Sequence, residues 1–337
     1  MDWSLVLLAI VLLFGLIFEF VNGFHDAANA IATIVATRVL SPRIAVLMAG
    51  TLNLVGALSG TAVATTIGKD LVNPDAVSLV TVAVALASAI LWDMFTWYRG
   101  LPTSSSHALL FATMGAAVAT AGTPVILVPG LTKVTLGIVY SPAIGIAVGF
   151  AVMFFIIWGF HRVRHETVSA IFGRLQLVSS AYMAYSHGSN DGQKTMGILS
   201  MALFAYGALG TTFYIPFWVM VASATAMGVG TAVGGWRIIR TMGFRMVQLQ
   251  PVHGFAAETA AGTVIEVASR IGMPISTTHA ISGAILGVGT IRGAKHVRWG
   301  VAGEIVSAWL LTIPVCFGLG WAMMTGIAWI GALGRFG

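Results

Sequence analysis

Charge is scarce in this chain. Only 8% of its 337 residues are Asp, Glu, Lys or Arg, against about 25% in a soluble domain. Cysteine is nearly absent. Cys316 stands alone in an apolar run, which excludes an intramolecular disulfide and any cysteine-based metal centre. Long polar stretches are missing too, and the connector between the two halves, residues 161–174, is too short for a soluble domain. What fills the chain is apolar: 58% of it is hydrophobic and the mean hydropathy is +0.93. Apolar runs cover residues 3–21, 44–67, 76–97, 136–160, 213–235 and 301–330. Several exceed the roughly 20 residues needed to cross a hydrocarbon core. The expected fold is an all-α polytopic membrane protein with roughly 10–12 membrane segments, set in the cell's inner (plasma) membrane. The net charge of +6 does not imply a nucleic-acid partner, because the basic residues sit in short loops, as the positive-inside rule predicts. Forty glycines suit close helix packing and broken helices.

Two short motifs occur twice. Leu101-Pro102-Thr103-Ser104-Ser105-Ser106-His107 returns as Met273-Pro274-Ile275-Ser276-Thr277-Thr278-His279. Gly23-Phe24-His25-Asp26-Ala27-Ala28-Asn29 returns more loosely as Gly188-Ser189-Asn190-Asp191-Gly192-Gln193-Lys194, at nearly the same separation. Basic loops at 161–165 with Arg174, at 237–245 and at 292–298 are placed in the cytoplasm, and 68–75 and 121–130 outside. With that placement the helix at 44–67 runs outward, the Pro102 copy opens an outward segment and the Pro274 copy an inward one. The two copies of the Asp motif also point in opposite directions. The expected architecture is an inverted-topology repeat with two pairs of re-entrant or broken half-helices. Its halves are 1–165 and 174–337, within a single transmembrane domain. Such repeats put both motif pairs near the midplane and are the signature of a secondary transporter.

The hydroxyl motif reads as a helix start. Proline suits the beginning of a helix and Ser or Thr can cap it. The apolar segment after each copy is too short to span alone, so each copy is expected to be a half-helix whose N-terminus stops inside the membrane. Free N–H groups, the positive dipole end and hydroxyls would there make a pocket for a small tetrahedral anion. Asp26 and Asp191 are carboxylates in apolar surroundings, costly unless paired or coordinated. His25, Asn29 and Asn190 add polar atoms, and an Asp with an Asn three residues on shares a helical face and suits a hard cation. Glu258, after His253-Gly254-Phe255, faces the same region by register. Glu19 is expected to pair with a basic group near the site, and Asp93 to pair with Arg99 near the interface. Glu266, Glu304 and Asn53 read as packing residues. The run from His187 to Asp191 lacks the His or Cys partners of a dedicated metal site.

These residues resemble the inorganic phosphate transporter (PiT) family, its bacterial low-affinity PitA-type branch most of all. The resemblance rests on Gly23–Asn29, His187–Lys194, Leu101–His107 and Pro274–His279, with Val252-His253-Gly254-Phe255-Ala256-Ala257-Glu258-Thr259 in support. It implies a symporter rather than an enzyme, without an organic cofactor, built on inverted repeats and tending to form homodimers among membrane lipids. It implies phosphate held by Ser104, Ser105, Ser106, Ser276, Thr277 and Thr278, and coupling cations at Asp26, Asn29, Asn190 and Asp191. Sodium-coupled members have Asn where this chain has His25 and Lys194. An ammonium at Lys194 can take the place of a sodium ion beside Asp191 and supply a fixed charge for phosphate. His25 titrates near neutral pH. Proton coupling is therefore favoured over sodium coupling, with His25, Asp26, Asp191 and Glu258 as carriers. The branch is also associated with magnesium– or calcium–phosphate complexes, whose metal Asp26 and Asp191 would face.

Three rival readings remain. A sulfate permease of the same fold would use the same pocket, though carboxylates that accept a proton favour hydrogen phosphate. An intramembrane phosphatase would need Ser106 and His107 as nucleophile and base, yet adjacent helical residues do not face each other, and no Arg-rich cluster is present. A passive channel would not need two buried aspartates.

Overall fold

A computed structural model describes residues 3–291 and 293–333. Arg292 of the basic loop at 292–298, and the last four residues of the second half, lie outside the described residues. Among the described residues regular structure is helical throughout, apart from two isolated antiparallel bridges, Val72 with Ile126 and Val247 with Val297. The first half contains α1 (Trp3–His25), α2 (Ala27–Ala36), α3 (Pro42–Ala57), α4 (Ala62–Asp70), α5 (Leu79–Arg99), α6 (Ser105–Ala121) and α7 (Val128–Phe160). The second contains α8 (His165–Tyr206), α9 (Phe217–Val233), α10 (Trp236–Arg240), α11 (Pro251–Arg270), α12 (Thr277–Thr290) and α13 (Trp299–Leu333).

The element order nearly repeats. Where the first half has α1 and α2 broken at Asp26, the second has one unbroken helix, α8, of 42 residues. The α3–α4 pair bends by 64°, and α9 with the segment 236–245 bends by 57°. The helices α7 and α13 each carry an internal proline, Pro142 and Pro314, and each follows a short 3₁₀ turn and one of the two bridges.

Four stretches are long and apolar enough to cross a membrane, Trp3–Ala36, Leu79–Arg99, Val128–Phe160 and Trp299–Ile330, and the two bent pairs raise this to six. That is fewer than the 10–12 segments expected from the sequence, for a physical reason. The remaining helices are short or polar because they form the interior: α6 and α12 are buried over nearly their whole length, and α8 carries the second Asp motif. Exposed large hydrophobics such as Phe155, Trp158 and Trp329 lie on α7 and α13 instead.

The halves exchange partners. The helix α7 packs on α12 of the second half, and α13 on α6 of the first; α3 lies on α8 and α1 on α9. The α3–α8 contact is backbone to backbone. A Cβ on Gly56 would stand 2.0 Å from the Tyr185 carbonyl oxygen, and one on Gly188 would stand 2.1 Å from that of Asn53. Only glycine allows this approach, and it sets the start of the second Asp motif against α3.

Three local expectations are corrected. The run 44–67 is two helices, broken at 58–61, where Ser59-Gly60 interrupts it. Most of the expected connector is helix, since α8 begins at His165 and leaves 161–164 as the link. Pro102 and Pro274 do not open their helices; each lies two residues before the capping serine.

Candidate functional site

Both hydroxyl motifs start a helix in the protein interior. Ser104 caps α6, its Oγ accepting from the His107 N–H at 3.3 Å. Ser276 caps α12 in the same way, accepting from the His279 N–H at 3.1 Å. All seven serines and threonines of the two motifs are buried. The first-turn N–H groups of each helix are left to face whatever the hydroxyls face.

They face one another across Lys194. Its Nζ donates to Ser106 Oγ of the first motif, to the Ile275 carbonyl of the second at 2.7 Å, and to Asp191 Oδ1 at 2.5 Å. Thr277 Oγ1 donates to Asp191 Oδ2 at 2.8 Å, and His187 Nε2 lies 3.2 Å from that same oxygen. From the first half, Asn29 Nδ2 donates to Thr277 Oγ1 and Thr278 Oγ1 at 3.2 and 2.9 Å. Asp26 sits in the α1–α2 break, its Oδ1 2.6 Å from His25 Nδ1. The other ring nitrogen of His25 lies 3.0 Å from Thr96 Oγ1, and Ser105 Oγ lies 3.4 Å from Nδ1. The two motif pairs are therefore a single polar centre, with Asp26, His25 and Asn29 from one half interleaved with Asp191, Lys194 and Thr277 from the other.

Asp26, His187 and Asp191 each present a ligand atom, all within 4.8 Å of one another. Asp26 thus supplies from the other half the partner that local spacing around His187 lacks. Two carboxylates and an imidazole fit a small cation, with Lys194 already taking one oxygen of Asp191.

Two sequence candidates lie off this centre. Asn190 points away, donating to Ser269 Oγ at 2.9 Å and to the Met273 carbonyl at 3.4 Å, which ties α8 to the end of α11 and to the segment that follows it. Glu258 forms a separate buried cluster, accepting from Thr33 and Ser179 at 2.5 Å each and from Gln176 Nε2 at 3.0 Å. Glu19 accepts from Thr195 and Asn22 rather than pairing with a basic group. Asp93 does not pair with Arg99. Six residues on an α-helix amount to about 240° of rotation, so Asp93 faces the protein while Arg99 lies over the Phe95 ring.

Sequence reasoning missed Thr96 and Thr103, which meet beside His25 at 2.9 Å. It also missed Asn53, whose Oδ1 lies 3.1 Å from His187 Nδ1. Thr103 was within reach, being in the first hydroxyl motif, but the second copy has Ile275 there. Ser106 and His107 make no hydrogen bond to each other; His107 stands edge-to-face with His279, ring centroids 4.8 Å apart.

Long apolar helices enclosing paired helix N-termini, buried carboxylates and a buried ammonium define a class: a multi-pass membrane transporter for a small ion. The chain belongs to the phosphate transporter family, whose profile matches residues 22–320. It is 45% identical over 313 residues to a Rhizobium meliloti (strain 1021) protein named "Probable low-affinity inorganic phosphate transporter", covering 91% of this chain and 94% of that one. A Bacillus subtilis (strain 168) protein of the same name is 42% identical over 322 residues, covering 95% and 97%. These relatives bear the names of transporters, not enzymes. Among solved structures, one described as "The sodium-dependent phosphate transporter" superposes with a TM-score of 0.86 at 24% identity, covering 97% of this chain and 99% of that one. At that identity the likeness speaks for the fold.

Proposed function

We propose that this protein carries inorganic phosphate across the membrane by alternating access, with protons as the coupling ion. The observation that carries this reading is Lys194. It joins the start of α6 to the start of α12 while neutralising Asp191. Its three partners are all oxygens, the ligand type a sodium ion takes, and the ammonium fills the place such an ion would hold. The fixed positive charge, two helix N-termini and the hydroxyls of Ser105, Ser106, Thr277 and Thr278 suit a tetrahedral oxyanion. The proton acceptors Asp26 and His25 favour hydrogen phosphate over sulfate. In a metal–phosphate cargo, the metal would face Asp26, His187 and Asp191. The repeated elements act as inverted halves, 1–165 and 174–337, that rock about the shared centre.

Proteoliposome uptake of labelled phosphate tests this. Uptake driven by an inward proton gradient and indifferent to sodium supports it; uptake driven by sodium alone would overturn the coupling assignment. Strong competition by sulfate would overturn the choice of anion. A requirement for magnesium or calcium identifies the metal–phosphate form.

A further inference from the structure

The basic loops of the cytoplasmic side take no part in the centre around Lys194. In the structure the loop after α12 is fastened to the segment that leads into α11. Val297 bridges to Val247, and the Arg298 N–H donates to the Met246 carbonyl at 3.1 Å. Between the two segments lies a cavity of about 290 Å³. Lys295, His296 and Arg298 line it from the loop, and Gln248 and His253 from the approach to α11 and its first turn, with the end of α12 completing the wall. No acidic residue among the described residues lines it.

The positive-inside rule accounts for Lys and Arg in a short loop, but not for their gathering around a recess. Lys295 and Arg298 form no ion pair among the described residues; Glu304 of α13 stands 3.9 Å from Arg245 instead. The first turn of α11 brings the positive end of a 20-residue helix to the same recess. The recess also lies at a recognisable depth. Trp299 follows Arg298 directly, 55% exposed, with its indole N–H donating to the Ala294 carbonyl at 2.9 Å. Exposed Trp at the end of an apolar helix marks the membrane–water interface, the level of lipid headgroups.

A second cavity, of about 350 Å³, abuts the first at His253 and lies where the end of α7, the start of α8 and the start of α11 meet. Its lining is mostly apolar, with Ile156, Ile157, Phe160 and Val163 among its walls, and His161 and His165 as polar members. Ile157 and Val163 are exposed at the surface. A basic recess beside an apolar groove suits an amphiphile with an anionic head, and basic pockets between helices on the cytoplasmic side bind such headgroups. Inorganic phosphate would use the recess and leave the groove without a role.

We propose that this face holds an anionic phospholipid of the cytoplasmic leaflet, its phosphate against Lys295, Arg298 and the start of α11, and an acyl chain along the groove between α7, α8 and α11. The site is separate from the Lys194–Asp191 centre and independent of the coupling ion. The helix α12 starts at the second hydroxyl motif and ends at the recess, so the lipid steadies the far end of the helix that carries Thr277 and Thr278.

The test is retention of radiolabelled phosphatidylglycerol, or of zwitterionic phosphatidylcholine with the same chains, by the full chain held on an affinity resin in detergent. Wild type should retain phosphatidylglycerol in preference. The double variant Lys295→Gln, Arg298→Gln should retain about tenfold less of it or lower still, while its phosphate counterflow shows that it is folded. Equal retention of the two lipids by wild type, or undiminished retention by the double variant, overturns the proposal. Inorganic phosphate in large excess, at matched ionic strength, should leave the lipid bound; displacement would overturn the lipid and make the recess a site for free phosphate. Where the double variant does not fold, wild type in rising salt decides. A headgroup held by exposed charges loses its preference as salt screens them, and a preference indifferent to salt overturns the proposal.

Discussion

Removing the Lys194 ammonium isolates Asp191. In Lys194→Met the side chain keeps much of its volume, but Asp191 Oδ1 loses its 2.5 Å partner, and Ser106 and the Ile275 carbonyl lose a shared donor. Asp191 then retains only Thr277 at 2.8 Å and His187 at 3.2 Å, in a fully buried place. Breaking a buried pair by removing one partner costs about 3–5 kcal/mol, mostly because the other charge is left uncompensated. The second substitution should reverse this. Asp191→Asn in the Lys194→Met background removes the orphaned charge and should bring stability back to within about 1–2 kcal/mol of wild type, a strong positive coupling for residues in contact. The assay is a thermal-unfolding series in detergent on wild type, both single variants and the double variant, alongside phosphate counterflow. Counterflow should be absent from the double variant even as stability returns, because the anion's fixed counter-charge is gone. A Lys194→Met protein as stable as wild type, or a double variant no more stable than Lys194→Met, would refute the pair as the clasp between the two motifs.

Further expectations follow from the same geometry. Thr277→Ala removes both a donor to Asp191 and an acceptor for Asn29. With a hydrogen bond to a charged group worth about 1.5–3 kcal/mol, the half-saturation concentration for phosphate uptake should rise roughly tenfold or more, as read from initial rates. Asp191→Asn alone should abolish proton-driven accumulation in a protein that still inserts; normal accumulation would refute its role in coupling. Glu258→Ala leaves the donors of Thr33 and Gln176 unpaired in the interior and Ser179 with only its 3.3 Å bond to the Gln176 carbonyl, at about 1–3 kcal/mol for each orphaned donor, so the thermal midpoint should fall clearly. Gly188→Ala drives a methyl group against the Asn53 carbonyl and should cost about 1–3 kcal/mol by overpacking, visible as a lower yield of monodisperse protein.

What was legible in the sequence was local chemistry. Serine directly before an apolar half-length segment marks a capped helix start whatever surrounds it, and Ser104 and Ser276 cap as expected. A repeated Asp in apolar sequence marks a buried charge, and both aspartates are buried. What was not legible depends on which distant segments meet. His187 lacks local partners because its partner carboxylate, Asp26, comes from the other half of the chain. Asp93 was assigned to Arg99 by proximity along the chain, although the two lie on different sides of α5. The break at 58–61 carried a usable signal in Ser59-Gly60, hidden by the apolar residues on either side. The basic residues near 165 resemble a loop, yet His165 and Glu166 open the longest helix of the molecule.

The two copies of the Asp motif have diverged in a way that bears on mechanism. Asp191 lies within an unbroken helix and is held by the Lys194 side chain three residues on. Asp26 lies at a break between helices and is held by the His25 imidazole at 2.6 Å. A continuous helix fixes the mutual orientation of its two ends, whereas the break between α1 and α2 removes that constraint. The copy held by Lys194 is thus built into the continuous helix, and the copy held by His25 into the broken one. The proton-coupled cycle proposed above calls for a counter-charge for the anion and for a proton site whose surroundings change. Under the proton-coupled, alternating-access reading proposed above, this division puts the counter-charge for the anion at Lys194 and the moving part of the cycle at Asp26 rather than Asp191.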